Sequence, residues 1–144
     1  MNLPQYVTTE EVKRVCHELG IRDWTLLKEA SVPLEEARII QTAVGAEATQ
    51  ITADEFCRGL EVELEHGLQF PDANVTNNHP LLTGKIVLAH LKETLDYYSR
   101  LEVAELEGDM LNALTKGDAV KVAEKYRKLV QARLALSSNE AGRL

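Results

Sequence analysis

Three properties of this sequence predict an all-α fold. Apolar residues recur at three- and four-residue spacing through most of the chain. Helix-opening signatures stand at Thr8 with Glu11 and at Thr52 with Glu55. No stretch has the strict alternation, β-branched density or tight hairpin turns of a sheet. The expected architecture is a helical domain built on a central helix–loop–helix, with a C-terminal α-hairpin. At 144 residues the chain is long enough for one domain with a real core. The division expected is a helical core over residues 1–107 and a hairpin arm and tail over 108–144, in the same domain or appended to it.

Met1 to Val7 reads as a short arm. Thr8 then caps a helix carrying Val12, Val15, Cys16 and Leu19, and Gly20 stops it. Asp23 caps a short helix through Trp24, Leu26, Leu27 and Ala30. Ser31 and Pro33 break that run and start the next, which carries Leu34, Ala37, Ile40 and Val44 to a stop at Gly45. Three short helices with tight joints have the outline of a helix-turn-helix DNA reader. The third, with Glu35, Glu36 and a single Arg38, is poorly equipped to meet a phosphate backbone.

Thr52 opens a helix whose wheel puts Ala53, Phe56, Cys57, Leu60, Leu64 and Gly67 on one face, with Glu63 at its edge and His66 further round. Gly67 and Pro71 end it. A polar loop follows from Leu68 to Pro80, longer than most connections in a compact domain. The next helix carries Leu81, Leu82, Ile86, Val87, Leu91 and Tyr98. Its wheel, drawn through Tyr97, sets His90 near the middle of the apolar face, so His90 is expected to be largely buried and Lys92 exposed. From Leu101 a further helix runs through Leu106, Met110 and Leu114, weakened at Gly108-Asp109. Gly117 and Asp118 turn the chain into a last helix with Val122, Tyr126, Leu129, Val130 and Leu134 as an apolar stripe. Lys121, Lys125, Arg127 and Lys128 make this the one locally basic region of the chain. Ser137 to Leu144 reads as a frayed tail.

The motifs GLEVELEHG, NVTN, PLLTGKIVLAHLKE and DYY resemble a family of small bacterial proteins that constitutes a domain of unknown function. That family is recognised by an ELEHG helix, an NVTN-type loop and a GKIALAHL helix. The resemblance covers roughly residues 52 to 101, with weaker similarity around GIRDW. It implies no activity. It does place Glu63, Glu65, His66, Asn74, Thr76, Lys85, His90, Glu93 and Tyr97 at motif positions.

Chemistry concentrates in the same stretch. Glu63 and His66 are three residues apart, as in ferritin-like di-iron helices, and His90 and Glu93 repeat the pair in reverse order. On antiparallel neighbouring helices the reversal sets His with His and Glu with Glu at matching heights. These four are the candidate metal ligands, suited to a divalent iron, manganese or zinc ion. A full di-iron set also needs carboxylates from two further helices, and nothing in the spacing selects among Glu29, Glu35, Glu36, Glu102 and Glu105. The structural alternative has His90 donating to a buried Thr, Tyr or carboxylate while Glu63 closes an ion pair at the core rim. An acid–base or small-ligand pocket is the third reading, with Asn74, Thr76, His79, Lys85 and Tyr97 as further lining candidates. Thr83-Gly84-Lys85 lacks the glycine-rich lead of a phosphate-binding loop.

The net charge of −7 disfavours non-specific nucleic-acid binding. No apolar run approaches the length of a membrane span, and the opening residues do not read as a signal-peptide pattern. Cys16 and Cys57 read as unpaired core thiols in a reducing cytoplasm. The function expected is a small cytoplasmic protein–protein interaction or oligomerisation module, with a protein partner or a second copy of itself. The alternative is a metal-binding protein or enzyme using Glu63, His66, His90 and Glu93, and whether the chain catalyses a reaction stays open.

Overall fold

The computed structural model describes residues 6–144, so the arm expected at the N-terminus lies outside the described residues up to Gln5. The fold is all-helical: among the described residues there are six α-helices and no strand. They are α1 (Thr9–Leu19), α2 (Leu34–Val44), α3 (Ala53–Gln69), α4 (Pro80–Glu93), α5 (Tyr97–Thr115) and α6 (Ala119–Ala141). The chain divides into two compact units, one ending at Leu95 and one from Asp96 to Leu144.

In the first unit α2, α3 and α4 pack on one another, and α1 reaches α4. Thr8 caps α1, its hydroxyl accepting from the Glu11 N–H at 3.2 Å. The Glu11 carboxylate does not reach back to complete the box; it pairs with Arg14 at 2.6 Å. Gly20 closes α1 in the left-handed conformation, φ 68°, which glycine adopts without a Cβ penalty. The short helix expected through Ala30 is one 3-10 turn, Trp24–Leu26, capped by Asp23. Trp24 is buried, and its indole N–H donates to the Glu36 carboxylate at 2.5 Å. Arg22 holds the other Glu36 oxygen at 2.7 Å and the Ser31 carbonyl at 2.7 Å. A carboxylate buried to this degree needs such partners, and they commit Glu36 to the scaffold.

Gln41, also buried, has a matching role further along α2. Its amide donates to the carbonyls of Ala48 and Ile51, both at 2.9 Å, and closes the α2–α3 connection. The segment before α2 is pinned from α3: the Val32 N–H donates to Glu61 at 2.9 Å and the Cys57 thiol donates to the Val32 carbonyl at 3.2 Å. Glu61 is thus half-buried and bonded, not solvated as its wheel position implies. Cys16 and Cys57 are both free thiols.

Gly84 sets the closest approach of α4. A Cβ built there would lie 2.7 Å from a Val44 methyl, 3.1 Å from an Ile40 methyl and 3.3 Å from the Phe56 ring. The buried face of α4 is accordingly Thr83, Gly84, Val87, Leu88 and Leu91. His90 sits about 90° from the middle of that face at 100° per residue and is 29% exposed. The expectation of a largely buried His90 is corrected to a half-buried one. The reason is the end of α4: Thr94 is extended, φ −160° and ψ 138°, so the helix wheel does not carry past Glu93 to Thr94 and Tyr97. Lys92 is exposed as expected and pairs with Glu47.

The second unit is the α5–α6 hairpin. Leu106, Leu129 and Ala132 form its seam, with Val103 and Met110 packed against them. Asp118 caps α6 by accepting from the Lys121 N–H at 3.0 Å. Asp109–Lys125 at 2.5 Å and Glu107–Arg133 at 2.5 Å cross between the helices. At the open end Arg100 bonds both Asp96 and Glu140, and Arg143 approaches Asp96 at 3.4 Å. These contacts hold the C-terminal residues that read as a frayed tail, and α6 continues to Ala141. α5 runs unbroken through Gly108-Asp109, so truncation after Glu107 would cut it in mid-helix.

Replacing Gly84 with Ala tests the α2–α4 contact. In an ordinary helix the change favours helix formation by about 1 kcal/mol. Here the new methyl overlaps buried side chains on two helices, an overpacking cost of about 1–3 kcal/mol. Urea unfolding should show a net loss of stability for Gly84→Ala.

Candidate functional site

α3, the loop after it and α4 enclose a cleft of about 210 Å³, lined by Glu63, His66, Gly67, Phe70, Ala73, Asn74, Val75, Thr76, Thr83 and Ile86. Its shape begins with the Gly67 backbone. A Cβ on Gly67 would lie 2.0 Å from Asn78 Oδ1 and 2.9 Å from Asn74 Nδ2. Gly67 is therefore not the stop of α3, which continues to Gln69; it is the bare backbone on which the loop closes. Asn74 Nδ2 donates to the Gly67 carbonyl at 3.2 Å and to Asn78 Oδ1 at 2.8 Å. The Thr76 hydroxyl donates to Asn74 Oδ1 at 3.1 Å. Asn77 and Asn78 both take positive φ, 51° and 55°, which asparagine tolerates better than most residues.

His79 follows as the N-cap of α4, its Nδ1 accepting from the Leu82 N–H at 3.4 Å. Pro80 fills the first helical position, where a missing N–H costs nothing. His79 is 7% exposed. Burial pushes its imidazole below the ordinary histidine value, and Arg14 adds to this while Glu11 opposes it.

Glu63 is the polar centre of the cleft. Its side chain is 15% exposed and lies between two imidazoles, Oε1 at 3.1 Å from His90 Nδ1 and Oε2 at 4.0 Å from His66 Nδ1. The contact across the helices thus joins unlike residues, Glu63 of α3 and His90 of α4. Glu93, one turn beyond His90, is exposed. Among the described residues no group of three or more His, Cys, Asp or Glu side chains is arranged to hold a metal ion. Glu63 and His66 line the cleft, and His90 meets Glu63 from α4.

The other candidates separate by role. Asn74 and Thr76 line the cleft and build its wall. His79 is a helix cap. Lys85 donates from Nζ to the Val44 carbonyl at 2.8 Å and closes the end of α2, far from phosphate chemistry. Tyr97 is on α5 in the second unit, edge-to-face with Tyr98 at 5.2 Å between ring centroids. Phe70, Val75, Thr83 and Ile86 do not stand out in the sequence, because apolar loop residues and a helical Thr carry no chemical signature. The doubled Asn77-Asn78 is the one available signal of a left-handed turn.

The fold and the cleft define a small all-helical protein organised around a helix–asparagine loop–helix. The chain belongs to the family described as protein of unknown function DUF5661, whose profile matches residues 12–107. The match is wider than the stretch from Thr52 to Leu101 that carries the motifs: it takes in the Trp24–Glu36 contact and the beginning of α5. No curated protein and no solved structure matches the chain. Among the described residues no helix is long and apolar enough to cross a membrane.

The state of His79 makes a pH prediction. Its folded-state pKa lies below the unfolded value of about 6.5, so the unfolded chain takes up the proton first as pH falls. Its contribution to stability is full above that value and is lost as pH falls through the folded one. Urea unfolding at pH 7.5 and pH 5 should show a smaller loss for His79→Ser, which keeps a capping oxygen, than for the unsubstituted protein.

Proposed function

We propose that this protein is a helical interaction module that associates with a second copy of itself through the α5–α6 hairpin. The observation that carries this reading is the exposed apolar face of the hairpin. Leu111, Leu114, Tyr126, Val130 and Leu134 are between 42% and 64% exposed, and Val120 is more exposed still. On helical wheels the α5 and α6 members of this set fall on the same side of the antiparallel pair. At its tip Leu114, Gly117, Ala119, Val122, Ala123 and Tyr126 line one apolar groove. A contiguous apolar surface of this kind marks an interaction site. Leu129, counted in the stripe when only the sequence is read, is 1% exposed and belongs to the seam.

Charge favours a second copy as the occupant. α5 carries Glu102, Glu105, Glu107 and Asp109 against Arg100, a net −3. α6 carries Lys121, Lys125, Arg127, Lys128 and Arg133 against Glu124 and Glu140, a net +3. A two-fold axis parallel to the helices lays acidic α5 of one copy on basic α6 of the other, antiparallel. The result is an antiparallel four-helix bundle, and an isologous contact of this kind is closed. Each large apolar side chain fully covered contributes about 1.5–3 kcal/mol.

Sedimentation equilibrium at tens of micromolar protein tests the reading. The expected result is a dimer that Tyr126→Asp with Leu134→Asp converts to a monomer, with helical circular dichroism unchanged because both positions are exposed. An unsubstituted protein that remains monomeric at that concentration overturns it.

A further inference from the structure

We propose that the cleft between α3 and α4 binds a small neutral organic molecule, its one hydroxyl or carbonyl group paired with the Thr83 hydroxyl and its apolar body against Phe70, Val75 and Ile86. All the lining residues lie in the first unit, so this site is independent of the hairpin. The polar side chains of the lining are Glu63, His66, Asn74, Thr76 and Thr83. All but Thr83 are committed. Glu63 and His66 face one another, and His90 holds the other Glu63 oxygen. Asn74 bonds the Gly67 carbonyl and Asn78, and Thr76 bonds Asn74.

Thr83 is 3% exposed. A helical threonine commonly returns its hydroxyl to the carbonyl four residues back, as Thr42 does to Arg38 at 2.9 Å. At Thr83 the corresponding carbonyl, that of His79, accepts from the Thr83 N–H at 2.9 Å, and among the described residues the hydroxyl has no hydrogen-bond partner. Its oxygen is not a wholly buried atom, and the recess that Thr83 borders is the cleft. A polar group this far inside a fold ordinarily has a partner. A ligand oxygen supplies one, and a hydroxyl can donate to it or accept from it.

The same commitments select against ions. An ammonium or carboxylate ligand would leave water for a recess whose charged groups already face one another, and burying an ion without a fresh counter-charge is costly. The walls select the rest. Phe70 and Val75 are large apolar side chains left 49% and 84% exposed at the cleft, and Ile86 continues the apolar surface along α4. A closed apolar cavity of about 150 Å³ accommodates benzene, so about 210 Å³ suits one ring with a short arm rather than a nucleotide or a peptide. Asn74 and Asn78 close on the bare Gly67 backbone, so the loop wall is held by its own hydrogen bonds. Preorganisation of this sort lets a small molecule bind without ordering a loop.

The test is a titration of the full isotope-labelled chain, followed by amide resonances, with benzyl alcohol, benzylamine and benzoate at matched ionic strength. Benzyl alcohol should saturate with shifts at Gly67, Phe70, Thr83 and Ile86 and a Kd of roughly 0.1–10 mM, as its size allows. Both ions should bind about 10-fold more weakly or less well still. Thr83→Val, which keeps the shape and removes the hydroxyl, should weaken the alcohol about 3- to 10-fold, in line with loss of one neutral hydrogen bond. Thr83→Ser should restore it to within about 2-fold, since it returns the hydroxyl. Phe70→Ala, at an exposed position that does not endanger folding, should weaken the alcohol several-fold. Should Thr83→Val fail to fold, the order of the three probes and the Phe70 variant still decide. Binding of benzylamine or benzoate as tight as that of the alcohol, an unchanged affinity in folded Thr83→Val, or no saturable response to benzyl alcohol overturns the proposal.

Discussion

At Gly84 the backbone of α4 lies directly against side chains of α2 and α3, with Val44, Ile40 and Phe56 occupying the space that any larger residue would need. This approach fixes the rotation of α4 about its own axis. With Gly84 inward, Val87, Leu88 and Leu91 follow into the core at helical spacing, and Lys85 is carried to the end of α2, where its ammonium group meets the Val44 carbonyl. His90 is turned to the rim on the side of α3 and meets Glu63. Protein interiors tolerate little error in volume, so the absence of one methyl group orients the whole helix and, through it, one end of the cleft.

A second close approach, at Gly67, governs the loop. Polar residues there divide into those that build and those that face the cleft as chemistry. Asn74 and Asn78 spend their amides on the Gly67 carbonyl and on each other, and His79 spends a ring nitrogen on a helix terminus. Backbone groups at such a turn need partners, and side chains that imitate the backbone supply them. What remains facing the recess is a carboxylate between imidazoles, bordered by apolar surface. The motif residues thus serve two purposes at once, and sequence position alone does not separate them.

The hairpin follows a different logic. Two helices meeting along one seam bury a narrow stripe each, and here the fully buried set is small. Most helical stability in water comes from packing of an apolar face rather than from intrinsic propensity. The cross-helix ion pairs are exposed, and such pairs contribute little.

Much of this was legible in the residues themselves. Local rules determined the helical class, the caps at Thr8, Thr52 and Asp118, the turn at Gly117 and the central helix–loop–helix, because capping and periodicity are written within a few neighbouring positions. The same rules placed Glu63, His66, Asn74 and Thr76 in one neighbourhood. What they did not determine depends on distant contacts. Gly67 reads as a helix stop until Asn78 is seen to close on it, and nothing in the local spacing marks Glu36 as the partner of Trp24 or Glu61 as the partner of Val32. The break at Thr94 moved His90 from the centre of an apolar face to its edge, since a wheel drawn through a helix end assigns a face that no longer exists. Leu129 and Leu134 share a stripe in sequence, yet only the seam with α5 decides that one is core and the other surface. Periodicity specifies that a face is apolar; only the partner that comes to lie against it decides how much of that face is covered.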